Sequence, residues 1–207
     1  MADWQTDTES SPAAGAGGTA IVFVDSTTKK LSTVDDGGNV VGGSLSRNVC
    51  TGSQTLGTAD TYVTNSGIVV PTVGMQAGMV FRWVLTGRKT AAGAAAAVYT
   101  IRCGTLQTTG DTSVLAFTSG AIQTAAIDIG ILVVTLLIRT FGATGSVAGA
   151  FGWMKNLATA TGFGDVAQDN SGTFDTTGRA GQFVGLSING GAASAWTFTT
   201  VHGQLIC

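Results

Sequence analysis

The sequence predicts an all-β protein, and three observations carry that expectation. Thr, Val and Ile, which suit a pleated and half-buried surface, recur throughout, and 31 glycines supply turns and bulges. No long stretch repeats its apolar residues at the helical period near 3.6. From about residue 60 onward, apolar or alternating runs are instead separated by Gly- and Thr-rich turns.

Residues 1–19 are polar and then rich in Gly and Ala ("SPAAGAGGTA"), the composition of a flexible arm. Trp4 stands alone in that arm, an apolar anchor suited to a partner's pocket. Residues 20–43 read as a β-meander: "AIVFV" and "KLSTV" are strand formers, "DSTTK" is turn material, and "DDGGN" offers Asp-Gly and Gly-Gly turns before "VV". Three strands this short have no second layer of their own and are marginal in water. The meander therefore has to dock on its own main domain, another copy or a foreign surface, and is expected to serve attachment or oligomerisation.

Residues 44–207 form the expected main domain. Strands are placed near 61–71, 78–89, 96–104, 112–119, 129–141, 146–158, 181–189 and 195–206. Eight strands at this spacing suit a jelly-roll-like β-sandwich. In "VFRWVLT" the alternation puts Phe81, Trp83 and Leu85 on one face and Arg82 on the other. The last strand changes phase between Phe198 and Val201, which predicts a bulge near Thr199 and Thr200. The stretch 159–180 reads as the longest irregular connection, a place where function or contacts collect.

Charge narrows the function. A net charge of −2 with no Lys/Arg cluster lacks the footprint of direct nucleic-acid binding. The acids in "MADWQTDTES" do not suit a secretory signal. The greasiest run, 127–141, is interrupted by Asp128 and Arg139 and falls short of the roughly 20 residues of a membrane-spanning helix. Cys50, Cys103 and Cys207 are odd in number and widely spaced, which suits buried free thiols made in a reducing compartment.

Catalytic and metal chemistry find little support. His202 lies inside the last strand without an acid in triad logic and reads as structural. "GAGG" and "GATGSVAG" lack the Gly-Lys-Ser/Thr ending of a phosphate loop and read as turns. Asp165, Asp169, Asn170 and Asp175 cluster in the long connection, but their spacing fits no calcium loop and such residues are ordinary loop formers. Asp35, Asp36, Gly37 and Gly38 read as a hairpin turn. Trp83, Trp153 and Trp196 fall in predicted strands and are expected in the core.

The segments "FVDSTTKKLSTVDDGGNVV", "SGIVVPTVGMQAGMVFRWVLTGRKTAAGAAAAVYTIRCGT" and "FTSGAIQTAAIDIGILVVTLLIRTFG" resemble structural proteins of tailed-bacteriophage virions. The likeness covers most of the chain and is greatest to capsid decoration (cement) proteins and head fibres. It implies a non-enzymatic assembly protein without a cofactor, made in the host cytoplasm and located on the capsid surface of the virion. It further implies a homotrimer bound to the major capsid protein, with a jelly roll projecting outward and no direct contact with nucleic acid or membrane. The expected capsid or subunit interface comprises Trp4, Ile21, Phe23, Leu31, Val34, Val40 and Val41. The alternative is a tail-fibre or receptor-binding protein that recognises a host glycan; an enzyme such as a polysaccharide depolymerase would need a convergent acid pair that the sequence does not offer.

Overall fold

A computed structural model of the chain describes residues 21–24, 31–34, 40–41, 47–50, 54–89, 96–118, 128–155, 167–191 and 196–206. No helix occurs among the described residues. The chain divides into two compact units, Met1–Leu45 and Ser46–Cys207.

In the first unit, β1 (Ile21–Val24), β2 (Leu31–Val34) and β3 (Val40–Val41) form a three-stranded antiparallel sheet in that order. Ile21 pairs with Val34 and Val34 with Val40, while Val24 pairs with Leu31 and Thr33 with Val41. Eight of these ten strand residues are apolar, Ser32 and Thr33 being the exceptions.

The second unit begins with β4 (Arg47–Cys50), β5 (Gln54–Leu56), β6 (Thr61–Tyr62) and β7 (Ile68–Val69). Longer strands follow: β8 (Val80–Lys89), β9 (Val98–Gly104), β10 (Thr112–Thr118) and β11 (Asp128–Ile138). The chain continues through β12 (Gly145–Lys155), β13 (Ala167–Phe174), β14 (Phe183–Asn189) and β15 (Trp196–Ile206). Two antiparallel sheets result and form a sandwich. The long sheet runs β13-β12-β11-β8-β15, with β4 and β5 pairing different ends of β15 and so sharing its edge position. The short sheet runs β10-β9-β14, with β6 and β7 likewise sharing the edge beside β14.

The pairings nest. β9 pairs β10, β8 pairs β11, β6 and β7 pair β14, and β5 pairs β15, so the chain reads as one antiparallel ribbon wound up on itself. Successive pairs fall alternately in the short and the long sheet. The β12–β13 hairpin lies outside this nesting and extends the long sheet past β11.

Alternation explains which residues fill the space between the sheets. Phe81, Trp83 and Leu85 of β8 are fully buried, and Arg82 between them is exposed, as the sequence pattern predicts. Leu132, Val134, Leu136 and Ile138 of β11 repeat the period of two. From the short sheet, Tyr99 packs at 5.1 Å and a tilt of 37° against Phe151 of β12, and Phe117 of β10 reaches the same ring at 5.5 Å. The register of β15 against β8 shifts between Phe198 and Thr200, at the expected bulge, and this shift lets Phe198 and Val201 both turn inward.

Three expectations need correction. The run 61–71 is two short strands rather than one: Asn65 adopts a left-handed φ of 58°, which Asn tolerates, and the chain turns there. The stretch 159–180 is not wholly irregular, because β13 occupies Ala167–Phe174. Instead of eight strands, the sheets hold seven and five among the described residues, since β4, β5 and β13 had not been counted as strands and the run 61–71 had been counted as one.

Candidate functional site

The residues singled out from sequence separate into three groups. Ile21, Phe23, Leu31, Val34, Val40 and Val41 lie in the strands of the small sheet, and their side chains are outside the described residues. Trp4, Asp35, Asp36, Gly37, Gly38, Asp165 and Cys207 lie outside the described residues, as do the side chains of Trp153, Trp196 and Cys50. The remainder belong to the sandwich.

There the acidic cluster is dispersed. Asp169 and Asn170 are consecutive on β13 and therefore point to opposite faces. Asn170 Nδ2 donates to the Ala116 carbonyl of β10 at 3.0 Å, stitching one edge of the long sheet to the short one. Asp175 lies past the strand and is exposed; it accepts from the Thr177 hydroxyl at 2.6 Å and from its N–H at 2.9 Å. Those two bonds, with a smaller contribution from Arg179, hold its carboxyl below the usual range. Among the described residues no group of three or more His, Cys, Asp or Glu could hold a metal ion. His202 sits on the outer face of the long sheet in register with Val84 and Val49, its Nε2 buried without a protein partner. Cys103 is free and buried, and burial pushes its thiol up to about 11, so it carries no nucleophilic thiolate at neutral pH.

A polar assembly covers the outer face of the short sheet. Arg102 on β9 donates from Nε to Ser187 Oγ at 2.7 Å, from Nη1 to the Asp111 carbonyl at 2.9 Å and from Nη2 to Asp60 Oδ2 at 2.6 Å. Asp111 is buried, and its Oδ1 accepts the Leu106 N–H at 3.0 Å across the turn between β9 and β10. Ser66 stands in the gap between β6 and β7 and substitutes for a missing ladder position: its hydroxyl accepts the Leu186 N–H at 2.9 Å. The Ser66 carbonyl accepts from Trp83 Nε1 at 2.7 Å, tying this cover to the core. Tyr62 lies over Gly185, where any side chain would collide with its hydroxyl, and burial raises that phenol to about 12. Sequence reasoning missed this assembly because its members come from four separate segments. The available signal was Arg102 itself, a charge inside the apolar run "VYTIRCG".

The outer face of the long sheet differs in kind. It carries Arg82, Thr135, Ala148, Ala150, Asp169 and Ser171, and Ile131 and Ile206 are each 39% exposed. A depression of about 440 Å³ opens over β11, β12 and β13, floored by Ala148, Gly149 and Ala150 and walled by Thr135, Leu137 and Arg139 on one side and by Asp169, Asn170 and Ser171 on the other.

No protein-family model matches this chain, and no curated protein is significantly similar to it. The functional reading therefore rests on residues and geometry.

Proposed function

We propose that the chain is a non-enzymatic structural protein of a tailed-phage virion that binds the outside of the head, as a trimer, and stabilises the shell. The nested ribbon is read as a jelly roll, with the β12–β13 hairpin added to its long sheet. Pairs that alternate between two sheets support that reading, since a wound ribbon of this kind is how jelly rolls bury a core without a closed barrel.

The observation that carries the proposal is the small N-terminal sheet. Eight of the ten residues in its three strands are apolar, Ile21, Phe23, Leu31, Val34, Val40 and Val41 among them, and successive residues of any strand serve opposite faces. A three-stranded sheet of this composition needs covering surfaces on two sides, and an assembly supplies them from sister copies and the shell. Many weak copies then act together, each interface of about 800 Å² per partner adding buried area across subunit boundaries.

The test is cryo-electron microscopy of phage heads co-expressed with the full chain or with a variant lacking residues 1–43. Threefold density on the outside of the head, present with the full chain and lost with the deletion, is the expected result. Full incorporation of the deletion variant would remove the role given to the small sheet. Density on the tail, or none on the head, would overturn the capsid reading in favour of receptor binding.

A further inference from the structure

Cross-strand registers lay out the outer face of the long sheet in rows. Arg82 pairs with Thr135, Thr135 with Ala150 and Ala150 with Asp169, so one row crosses β8, β11, β12 and β13 with a cation at one end and an anion at the other. The row above continues Val80, Leu137, Ala148 and Ser171; the row below holds Val84, Val133 and Gly152. In all three the β11 residue is larger than its β12 neighbour: Leu137 beside Ala148, Thr135 beside Ala150, Val133 beside Gly152. A ridge along β11 thus runs next to a trough along β12, and the trough is the depression described above.

We propose that this face is an interface between two copies of the chain, related by a two-fold axis that runs parallel to the strands, midway between β11 and β12. Such an axis keeps every row at its own height and exchanges β11 with β12 and β8 with β13. Each ridge then enters the other copy's trough, Leu137 over Ala148 and Val133 over Gly152, in both directions at once. Arg82 of each copy meets Asp169 of the other, giving two ion pairs from one surface. That reciprocity is what an isologous interface requires. Both residues are exposed, and neither has an ion-pair or hydrogen-bond partner among the described residues.

A foreign partner of one charge would satisfy only one end of the row, whereas a second copy satisfies both. The available area agrees. The four strands that face each other about this axis, about 4.8 Å apart and some ten residues long, give a footprint on the order of 600 Å², at the low end of the roughly 600–1,000 Å² per partner of standard stable interfaces. The inference goes beyond the virion reading and does not depend on it, because it concerns the isolated chain.

The experiment is sedimentation equilibrium of the full chain at low salt. The wild type is expected to form a dimer, or an even-numbered assembly if the N-terminal segment sets a further symmetry. R82D and D169R should each weaken the two-fold association at least about tenfold, and the double variant R82D/D169R should recover it. A150W, which fills both troughs without changing charge, should abolish it. Arg82, Asp169 and Ala150 are all exposed, so circular-dichroism melts of the variants at concentrations below the association range should match the wild type and exclude misfolding. A wild type that is monomeric or only odd-numbered, or a double variant no better than its parents, overturns the proposal.

Discussion

The two sheets share a core but treat their outer faces oppositely. On the short sheet the chain covers itself: Tyr62 lies over Gly185, Arg102 clamps Ser187, Asp60 and the Asp111 carbonyl, and Thr100 and Ser187 end up buried on what would otherwise be a solvent-facing surface. On the long sheet the same chain leaves hydroxyls, small residues and two isoleucines in the open. One face has been completed by local turns and a polar clamp. No such clamp lies over the other among the described residues.

Two glycines give the largest expected contrast. A Cβ at Gly185 would collide with the Tyr62 hydroxyl, so Gly185→Ala must displace the ring and is expected to cost about 2–3 kcal/mol in chemical denaturation. A Cβ at Gly152, on the outer face of β12, meets nothing within 4 Å. Gly152→Ala should therefore lie within about 0.5 kcal/mol of wild type, or gain slightly from reduced unfolded-state entropy. Equal costs at the two positions would mean that the long sheet's outer face is as tightly covered as the short one's.

Two arginines sharpen the same contrast at a smaller magnitude. Arg102→Met removes three charge-assisted bonds from a half-buried group and leaves the Ser187 hydroxyl and the Asp111 carbonyl without it, a loss of roughly 2 kcal/mol. Arg82→Met on the long sheet breaks no side-chain bond among the described residues and should change the melting temperature of the dilute protein by no more than about a degree or two.

What could be read in advance follows the same division. Long-sheet strands announce themselves because burial on one face enforces strict alternation, which is why Phe81, Trp83 and Leu85 could be assigned inward and the shift near Thr199 and Thr200 located. β13 escaped because it is an edge strand: in "AQDNSGTF" only Phe174 among the residues of described burial is buried, and Asp, Asn, Ser and Gly carry the signature of a loop. The polar cover escaped for a different reason. Asp60, Arg102, Asp111 and Ser187 are brought together only by the folding of three strands and two turns, and no local pattern encodes a contact spanning 85 residues. Single strands of two or three residues, such as β5 and β6, are too short for any periodicity to register.

The last contrast is one of chemistry alone. Tyr62 belongs to the short sheet's cover and Cys103 to the inner face of the same sheet, and burial raises the first from 10.0 to about 12 and the second from 9.0 to about 11. In both cases the folded state holds the proton more tightly than the unfolded chain does. Their contribution to stability is therefore complete below the ordinary values, begins to fall as the unfolded thiol ionises near pH 9, and is gone once the pH passes about 12. Denaturation midpoints measured from pH 8 upward should decline along this window in the wild type. Tyr62→Phe should flatten the upper part of the decline and Cys103→Ala the lower part, each compared with its own value at pH 8 so that the cost of the lost packing cancels. If Tyr62→Phe follows the wild-type curve in parallel, the phenol is open to water in solution, and the short sheet's outer face is no better covered than the long sheet's.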